Sequence, residues 1–487
     1  MKQEYDKTIF ELSEQGKRGY QLPVCKIDCS LFDYEIPETL KRKTSLFLPQ
    51  VSEQETVRHY TRLSQKNYGL DGGFYPLGSC TMKYNPKITE SVAADLRFSG
   101  LHPYQSEETV QGALEVMHEL SSFLCEITGM DDFSLQPAAG AQGELCGLMM
   151  IKHYHASKGD TQRKTIIVPD SSHGTNPASA AKAGFSILQI CSNKEGTIDL
   201  DALSTALGKD TAGLMMTNPN TLGIFEKDIL QISEMVHNAG GLLYYDGANL
   251  NPILGKARPG DMGFDIVHVN THKTFATPHG GGGPGAGPVG AAGELVAFLP
   301  SPRIIKEGDI FAIKDGGTDS IGRVRSYLGS FSVLLRAWVY ILLMGADGLV
   351  EVSDNAVLNA NYMKEKLKTH YRLPYDYPCM HEFVLTKPDS SEKTLRAVDF
   401  AKRIIDFGFH PPTICFPLIV HDAFMIEPTE TESKETLDDF ISAMIDIAKE
   451  ANNTPEKLKA APKSTPVLRV DELLAAKSPV LVWEKEL

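Results

Sequence analysis

The chain has 487 residues, with 48 Lys and Arg against 62 Asp and Glu, a formal net charge of −14 and 42% hydrophobic residues. At roughly 150 residues per domain this is about three domains' worth of chain, and ordinary use of Gly (41) and Pro (28) excludes collagen-like, mucin-like and globally disordered chains. The acidic balance opposes a phosphate backbone or an anionic leaflet and no basic run offsets it, so no nucleic-acid partner and no membrane are expected.

The start, MKQEYDKTIFELSEQGKRGY, has no apolar core of the kind a secretory signal needs. Residues 1–104 read as an N-terminal extension, with short helices such as VSEQETVRHYTRLSQKNYG and irregular Gly/Pro-rich pieces such as DGGFYPLGSCTMKYNP. A segment of this kind wraps a larger body or a neighbouring subunit more readily than it folds alone. Residues 105–345 then alternate helical patterns with short apolar runs: TIIVPD from Thr165, FSILQICS from Phe185, AGLMMTN from Ala212, GLLYYDG from Gly241 and DIVHVNTH from Asp265. Runs of this length separated by helices such as FEKDILQISEMVHNAG signal a mostly parallel sheet buried on both faces, and hence a large doubly wound α/β domain. The longest apolar stretch, VLLRAWVYILLMGA, is shorter than a bilayer span and carries Arg336, so it is expected to be a buried helix running from Ser330 to Gly345. Residues 346–487 mix helices (LVEVSDNAVLNANYMKEKLKTHY, SKETLDDFISAMIDIAKEANN) with strands (HEFVLT, PLIV, AFMIEP), a smaller C-terminal α/β domain ending in an arm of little periodicity after Ala461. The eight cysteines, Cys25, Cys29, Cys80, Cys125, Cys146, Cys191, Cys379 and Cys415, form no CxxC pair, which points to reduced thiols and a cytoplasmic chain.

Three strand ends each carry a useful group where α/β sheets bind ligands. Asp246 closes the apolar run LLYYD, Lys273 follows VHVNTH, and the small residues Gly140, Ala141, Gln142 and Gly143 open a helical pattern whose free amides suit an anion. Taken singly, an Asp at a strand end is usually a turn former and a Lys is usually solvated. Taken together they match pyridoxal phosphate, which needs a lysine for its imine, a carboxylate for its pyridinium nitrogen and amides for its phosphate. At ~4 Å and an effective dielectric of about 20 such a carboxylate is worth roughly 4 kcal/mol, or about three pKa units, enough to keep the ring nitrogen protonated. His173, just before a helix start at Asn176 and Pro177, either stacks on the ring or satisfies loop backbone.

Two other patterns carry less. Gly285, Gly287 and Gly290 match GxGxxG, but Pro288 interrupts them and no helix opens there, so a dinucleotide site is not expected. His268 and His272 have metal-like spacing without a third ligand, so no metal is expected and strand packing accounts for His268. The stretch HGGGGPGAGPVG is either a close backbone approach beside an open channel or a tight loop under the cofactor.

These same residues resemble the glycine cleavage system P-protein family, in the form that is split into two chains and there in the second subunit, glycine dehydrogenase (decarboxylating). The matching stretches are YPLGSCTMKYNP from Tyr75, PAAGAQGE from Pro137, DSSHGTNPASA from Asp170, LYYDGANLN from Leu243, HKTFATPHGGGGPGAGP from His272, HEFVL from His381 and FPLIVHDAFMIEPTETESKETLD from Phe416. The resemblance implies fold-type I, with Lys273 as catalytic and imine lysine, Asp246 on the pyridinium nitrogen, His173 over the ring opposite Ala248, and amides of Gly140, Ala141 and Gln142 on the phosphate. It also implies Thr217 or Asn218 near the ring hydroxyl and Thr271 supporting the phosphate. The implied reaction is decarboxylation of glycine with transfer of the aminomethyl group to the lipoyl arm of H-protein. The implied assembly is a heterotetramer of two copies each with subunit 1. The rival readings are an aminotransferase or decarboxylase of a free amino acid, which would need an Arg clamp from Arg303, Arg323 or Arg325, and an inert scaffold subunit.

Overall fold

The apolar runs fold into one seven-stranded sheet: β1 (Asp132–Ser134), β2 (Thr165–Pro169), β3 (Ser186–Ile190), β4 (Thr211–Met216), β5 (Leu242–Gly247), β6 (Ile266–Val269) and β7 (Val289–Ala291), in the order β1-β7-β6-β5-β4-β2-β3. In this computed structural model the described residues are 7–21, 23, 24, 26, 36–44, 46–279 and 285–483. Cys25, Cys29 and the first part of the glycine-rich stretch lie outside them. Strands β2 to β6 run parallel through helical crossovers, whereas β7 is antiparallel to both β6 and β1. Between β6 and β7 the described residues form only the short helical turn Thr271–Thr274, without the crossover helix that usually returns a strand in parallel.

Every residue of β2, β4, β5 and β6 is buried, as double coverage requires. β3 differs from the expectation. It is the edge strand with β2 as its partner, and all but Ile190 are exposed. Alternate side chains of the central strands feed two cores. Leu243 and Tyr245 join Leu120, Leu124, Leu334 and Ala337 on one face, and Tyr244 and Ile266 join Leu148 and Ile151 on the other. Each such side chain contributes roughly 1.5–3 kcal/mol on burial.

Helix Gly140–Ser157 lies unusually close to β5 and β6 because two of its glycines, four residues apart, face the sheet. A Cβ on Gly147 would stand 2.1 Å from the Tyr244 ring, and one on Gly143 2.8 Å from the Gly287 carbonyl oxygen and from His268. The helix start is thereby pressed against the carboxyl ends of the strands.

Ser330 precedes the helix Phe331–Leu367, which Gly345 breaks with φ 62° and ψ −177°. Val333, Leu334 and Leu335 are core residues, as the buried-helix reading required. Beyond a hairpin, β8 (Arg303–Glu307) with β9 (Ile310–Lys314), lies the second sheet: β10 (Phe383–Leu385), β11 (Thr413–Ile414) and β12 (Phe424–Ile426), antiparallel in the order β10-β12-β11. Residues 417–420, read as a strand, form a turn instead, closed by the Val420 N–H on the Pro417 carbonyl at 3.0 Å. Pro417 has no amide to give a ladder, and Leu418 is exposed.

The chain divides into two compact units, 1–72 with 465–487, and 73–464. Residues 73–104, read as part of an extension, thus belong to the larger unit, where Leu77 bridges Ile426 in antiparallel register. In the smaller unit the helix Glu53–Gln65 starts with a capping box between Ser52 and Glu55, and Phe10 stacks on Trp483 at 4.8 Å. Its tail carries one short helix, Glu472–Lys477, where little periodicity was expected.

Gly147→Ala tests the close approach. The new methyl must displace Tyr244 or lift the helix, so the chain should lose about 2–3 kcal/mol of stability, read as a lower denaturant midpoint.

Candidate active site

Asp246 ends β5 and is fully buried. Its Oδ2 accepts from Asn176 Nδ2 at 2.7 Å, and its Oδ1 accepts from the Ala248 amide at 3.0 Å and lies 3.2 Å from His268 Nε2. Burial works to raise its pKa. His268, the Asn176 and Ala248 donors and the charge of Lys273 outweigh that and hold it below the usual carboxyl range. His268, directly opposite Asp246 in the β5/β6 register, is held below its usual range by burial although Asp246 opposes this. The neutral imidazole therefore donates from Nε2 to Asp246 and accepts the Tyr244 hydroxyl at Nδ1, 2.8 Å away. Strand packing does not account for His268. It orients the acid.

Glu144, one turn into helix Gly140–Ser157, forms the far side of this network. Its carboxyl accepts from Thr175 Oγ1 at 2.8 Å and from Asn176 Nδ2 at 3.3 Å, so one amide spans Asp246 and Glu144. Burial, then the charge of Asp246, pushes the Glu144 pKa up to about 7. Of two acids sharing a dry site, Asp246 holds the charge and Glu144 the proton. Together with His268 their ligand atoms lie within 4.8 Å of one another.

Lys273 sits in the turn Thr271–Thr274 at the end of β6, largely buried, and its Nζ donates to the Ser79 carbonyl at 2.7 Å. His173 bonds through Nδ1 to the Thr175 hydroxyl at 2.9 Å and packs edge-on against Phe416, with ring centroids 5.3 Å apart. Burial, then the charge of Lys273, lowers its pKa, with Asp246 opposing.

No side chain caps helix Gly140–Ser157, and the amides of Gly140 and Ala141 have no acceptor among the described residues. A Cβ on Gly140 would stand 2.5 Å from the Asn270 amide, so this corner admits only glycine, and buried Asn270 Oδ1 and Thr274 Oγ1 have no partner beside it. Gln142 departs from the expectation. Its amide turns to the Ala139 carbonyl at 3.1 Å, while its side chain bonds Ala138 N–H at 2.6 Å and Val324 O at 3.1 Å, fastening the loop. Asn218 is likewise occupied, its Oδ1 accepting from Glu226 N–H at 2.8 Å. Thr217 is buried at the end of β4. The Thr271 hydroxyl donates to the Ala286 carbonyl at 3.2 Å. The described end of the glycine-rich stretch passes tightly under the helix start, with Gly287 N–H on the Pro137 carbonyl at 2.9 Å. Residues 280–284 lie outside the described part.

A segment at 78–81, whose role sequence reasoning left open, completes the wall around Lys273. Ser79 and Thr81 have positive φ, 66° and 44°, held by carboxyls from the second sheet. Ser79 N–H donates to Glu382 at 2.7 Å and Thr81 N–H to Glu427 at 2.9 Å. Lys83 beyond them is fully buried, paired with Glu430 at 2.8 Å. An acid inside an otherwise apolar run, as in HEFVL and MIEP, is the signal that could have marked Glu382 and Glu427.

Comparison with known proteins decides the family. Residues 18–308 match the glycine cleavage system P-protein model, and 352–469 the glycine dehydrogenase C-terminal domain. The chain belongs to the glycine cleavage system P-protein family. It is 60% identical over 485 residues to a probable glycine dehydrogenase (decarboxylating) subunit 2 of Caldanaerobacter subterraneus subsp. tengcongensis, covering 100% of both chains. It is 59% identical over 481 residues to the same-named protein of Pyrococcus abyssi, covering 98% of this chain and 95% of that one. A crystal structure of an inhibitor-bound glycine decarboxylase (P-protein) shares the fold, with a TM-score of 0.73 at 20% identity over 86% of this chain and 94% of that one. An alanine–glyoxylate aminotransferase from Nostoc sp. matches at 0.56 and 15% identity over 77% of this chain and 95% of its own. The P-protein fold is thus fold-type I and its cofactor is pyridoxal phosphate. The residues above fit that group: an uncapped helix start for its phosphate, a buried ionised acid and a lysine in the turn that follows the next strand.

Glu144 gives a pH test. It binds its proton more tightly folded (about 7) than unfolded (4.5), so the stability it supports is full below 4.5 and is lost as pH rises to about 7. Glu144→Gln should flatten that fall by on the order of 2 kcal/mol, measured as denaturant midpoints at about pH 5 and about pH 8.

Proposed function

We infer that this chain decarboxylates glycine and passes the remaining aminomethyl group to the lipoyl arm of an H-protein, acting as subunit 2 beside a subunit 1 in a heterotetramer of two copies each. The observation that carries the reading is the pairing, on adjacent strand ends, of a buried Asp246 kept ionised with the amine of Lys273, in a chain of this family. Bound there, pyridoxal phosphate supplies the electron sink that allows an amino acid to lose carbon dioxide.

The chain's own residues then have distinct tasks. Asp246 presents a fixed negative charge, and His268 and Asn176 keep its oxygens from turning away. The free amides of Gly140 and Ala141 bind the phosphate, with the dipole of an 18-residue helix behind them. His173, fixed by Thr175 and Phe416, forms the opposite wall and excludes water. Lys273 holds the cofactor and moves protons at Nζ.

The free-substrate readings find less support. An Arg clamp would need an uncommitted guanidinium. Of the three candidates, Arg303 is paired with Asp132 and Arg325 donates to Ser330 at 2.7 Å, which leaves Arg323 alone without a partner among the described residues. A scaffold has no use for an ionised acid buried at high cost beside a lysine.

Lys273→Ala should abolish the visible absorbance of the cofactor-loaded chain and all glycine-dependent exchange of labelled carbon dioxide. Asp246→Asn should keep the cofactor but lower exchange by about 100-fold or more. Exchange in wild type should require lipoylated H-protein. Transamination of a keto acid at a comparable rate would defeat the reading.

A further inference from the structure

Behind the 78–81 segment lie three side chains with no exposure at all: His381 and Glu382 at the start of β10 and Glu427 just past β12. Both nitrogens of His381 and the Oε1 atoms of Glu382 and Glu427 have no hydrogen-bond partner among the described residues. They converge. His381 Nε2 stands 3.8 Å from Glu382 Oε1 and 4.0 Å from Glu427 Oε1, and the three ligand atoms lie within 4.8 Å of one another. The Oε2 atoms point the other way and hold the amides of Ser79 and Thr81, at 2.7 and 2.9 Å.

Two ionised carboxyls at this separation without water repel too strongly to coexist. The groups facing them are few. Lys273 presents its charge from the end of β6, and its Nζ donates to the Ser79 carbonyl at 2.7 Å. Cys80 lies between the two held residues. Glu430, beyond Glu427, is already neutralised by Lys83 at 2.8 Å. His381 is kept neutral by burial, its pKa down to about 3. One full positive charge therefore faces two acids.

We propose that Glu382 and Glu427 share a single proton, and that this pair, with one net negative charge, is the proton store matched to Lys273. When the Lys273 amine loses its positive charge, the pair takes up a second proton; when the amine is protonated again, the pair returns it. Protons balance within the triad and no other reactant is involved. The stacked directions of shift agree. Burial raises both acids, Glu427 to about 7, and each is drawn down by Lys273. The two Glu are positioning residues, acting on Lys273 through the 79–81 backbone whose Ser79 and Thr81 amides they hold.

The functional use rests on Lys273 being the cofactor lysine, but its test does not. It uses the cofactor-free chain and the infrared carbonyl stretch of protonated carboxyls at neutral pH. Relative to wild type, either Glu382→Gln or Glu427→Gln should remove one protonated carboxyl per chain, because the remaining acid ionises, and the double variant should remove no more. Lys273→Met, which deletes the positive charge, should add one. Half-sized losses that sum in the double variant would mean independent acids and overturn the proposal, as would an unchanged band in Lys273→Met. A stoichiometric metal retained by wild type and lost in the Gln variants would also overturn it, by assigning the three side chains to a cation. Should a Gln variant fail to fold, Lys273→Met alone decides. Failure of Lys273→Ala to lose its visible band would sink the cofactor reading and leave this one standing.

Discussion

The site depends on keeping one carboxylate charged where water cannot reach it. Asp246 is held ionised by donors from three separate elements: Asn176 from the helix Thr175–Ala183, His268 from β6 and the Ala248 amide from its own turn. Each donor requires the neighbouring elements to pack at a fixed distance. The glycines that let helix Gly140–Ser157 settle on β5 and β6 therefore serve electrostatics as much as packing, since they bring Glu144 and the uncapped helix start to the same place. Leaving any of those donors out would strand a buried charge, which costs more than a lost contact.

A second consequence is a division of labour among acids. Four buried carboxyls stand in two pairs, Asp246 with Glu144 and Glu382 with Glu427, and in dry surroundings both members of a pair cannot be ionised. Asp246 keeps its charge because it has the donors. Glu144, Glu382 and Glu427 are pushed the other way by burial. Environment separates chemically similar groups into a fixed charge and proton carriers.

Much of this was legible in the sequence. Period and composition gave the parallel strands β2 to β6, the helix break at Gly345 and the chemical triple of Asp246, Lys273 and the small-residue helix start. What was not legible depended on three-dimensional register. His268 looked like packing because nothing in one strand says that Asp246 stands opposite it. Gln142 and Asn218 lie beside functional residues, yet their side chains close loops, a choice made by which backbone groups happen to be orphaned nearby. The edge position of β3 and the turn at 417–420 were hidden because an apolar run is the same string in a central strand, an edge strand or a turn. Glu382 and Glu427 escaped notice because their partners, Ser79 and Thr81, are some 300 residues away.

Covalent order and mechanical order differ around the lysine. The 77–81 segment comes early in the chain, yet it is fastened to the second sheet by the Leu77–Ile426 bridge, by Gly78 N–H on the Met425 carbonyl at 3.2 Å and by the two glutamates. A rigid-body displacement of residues 382–427 would carry Ser79 along and withdraw its carbonyl from the amine. The last third of the polypeptide thus has its hand on the lysine through a piece of the first, and a torque applied there is felt at the seat of the chemistry.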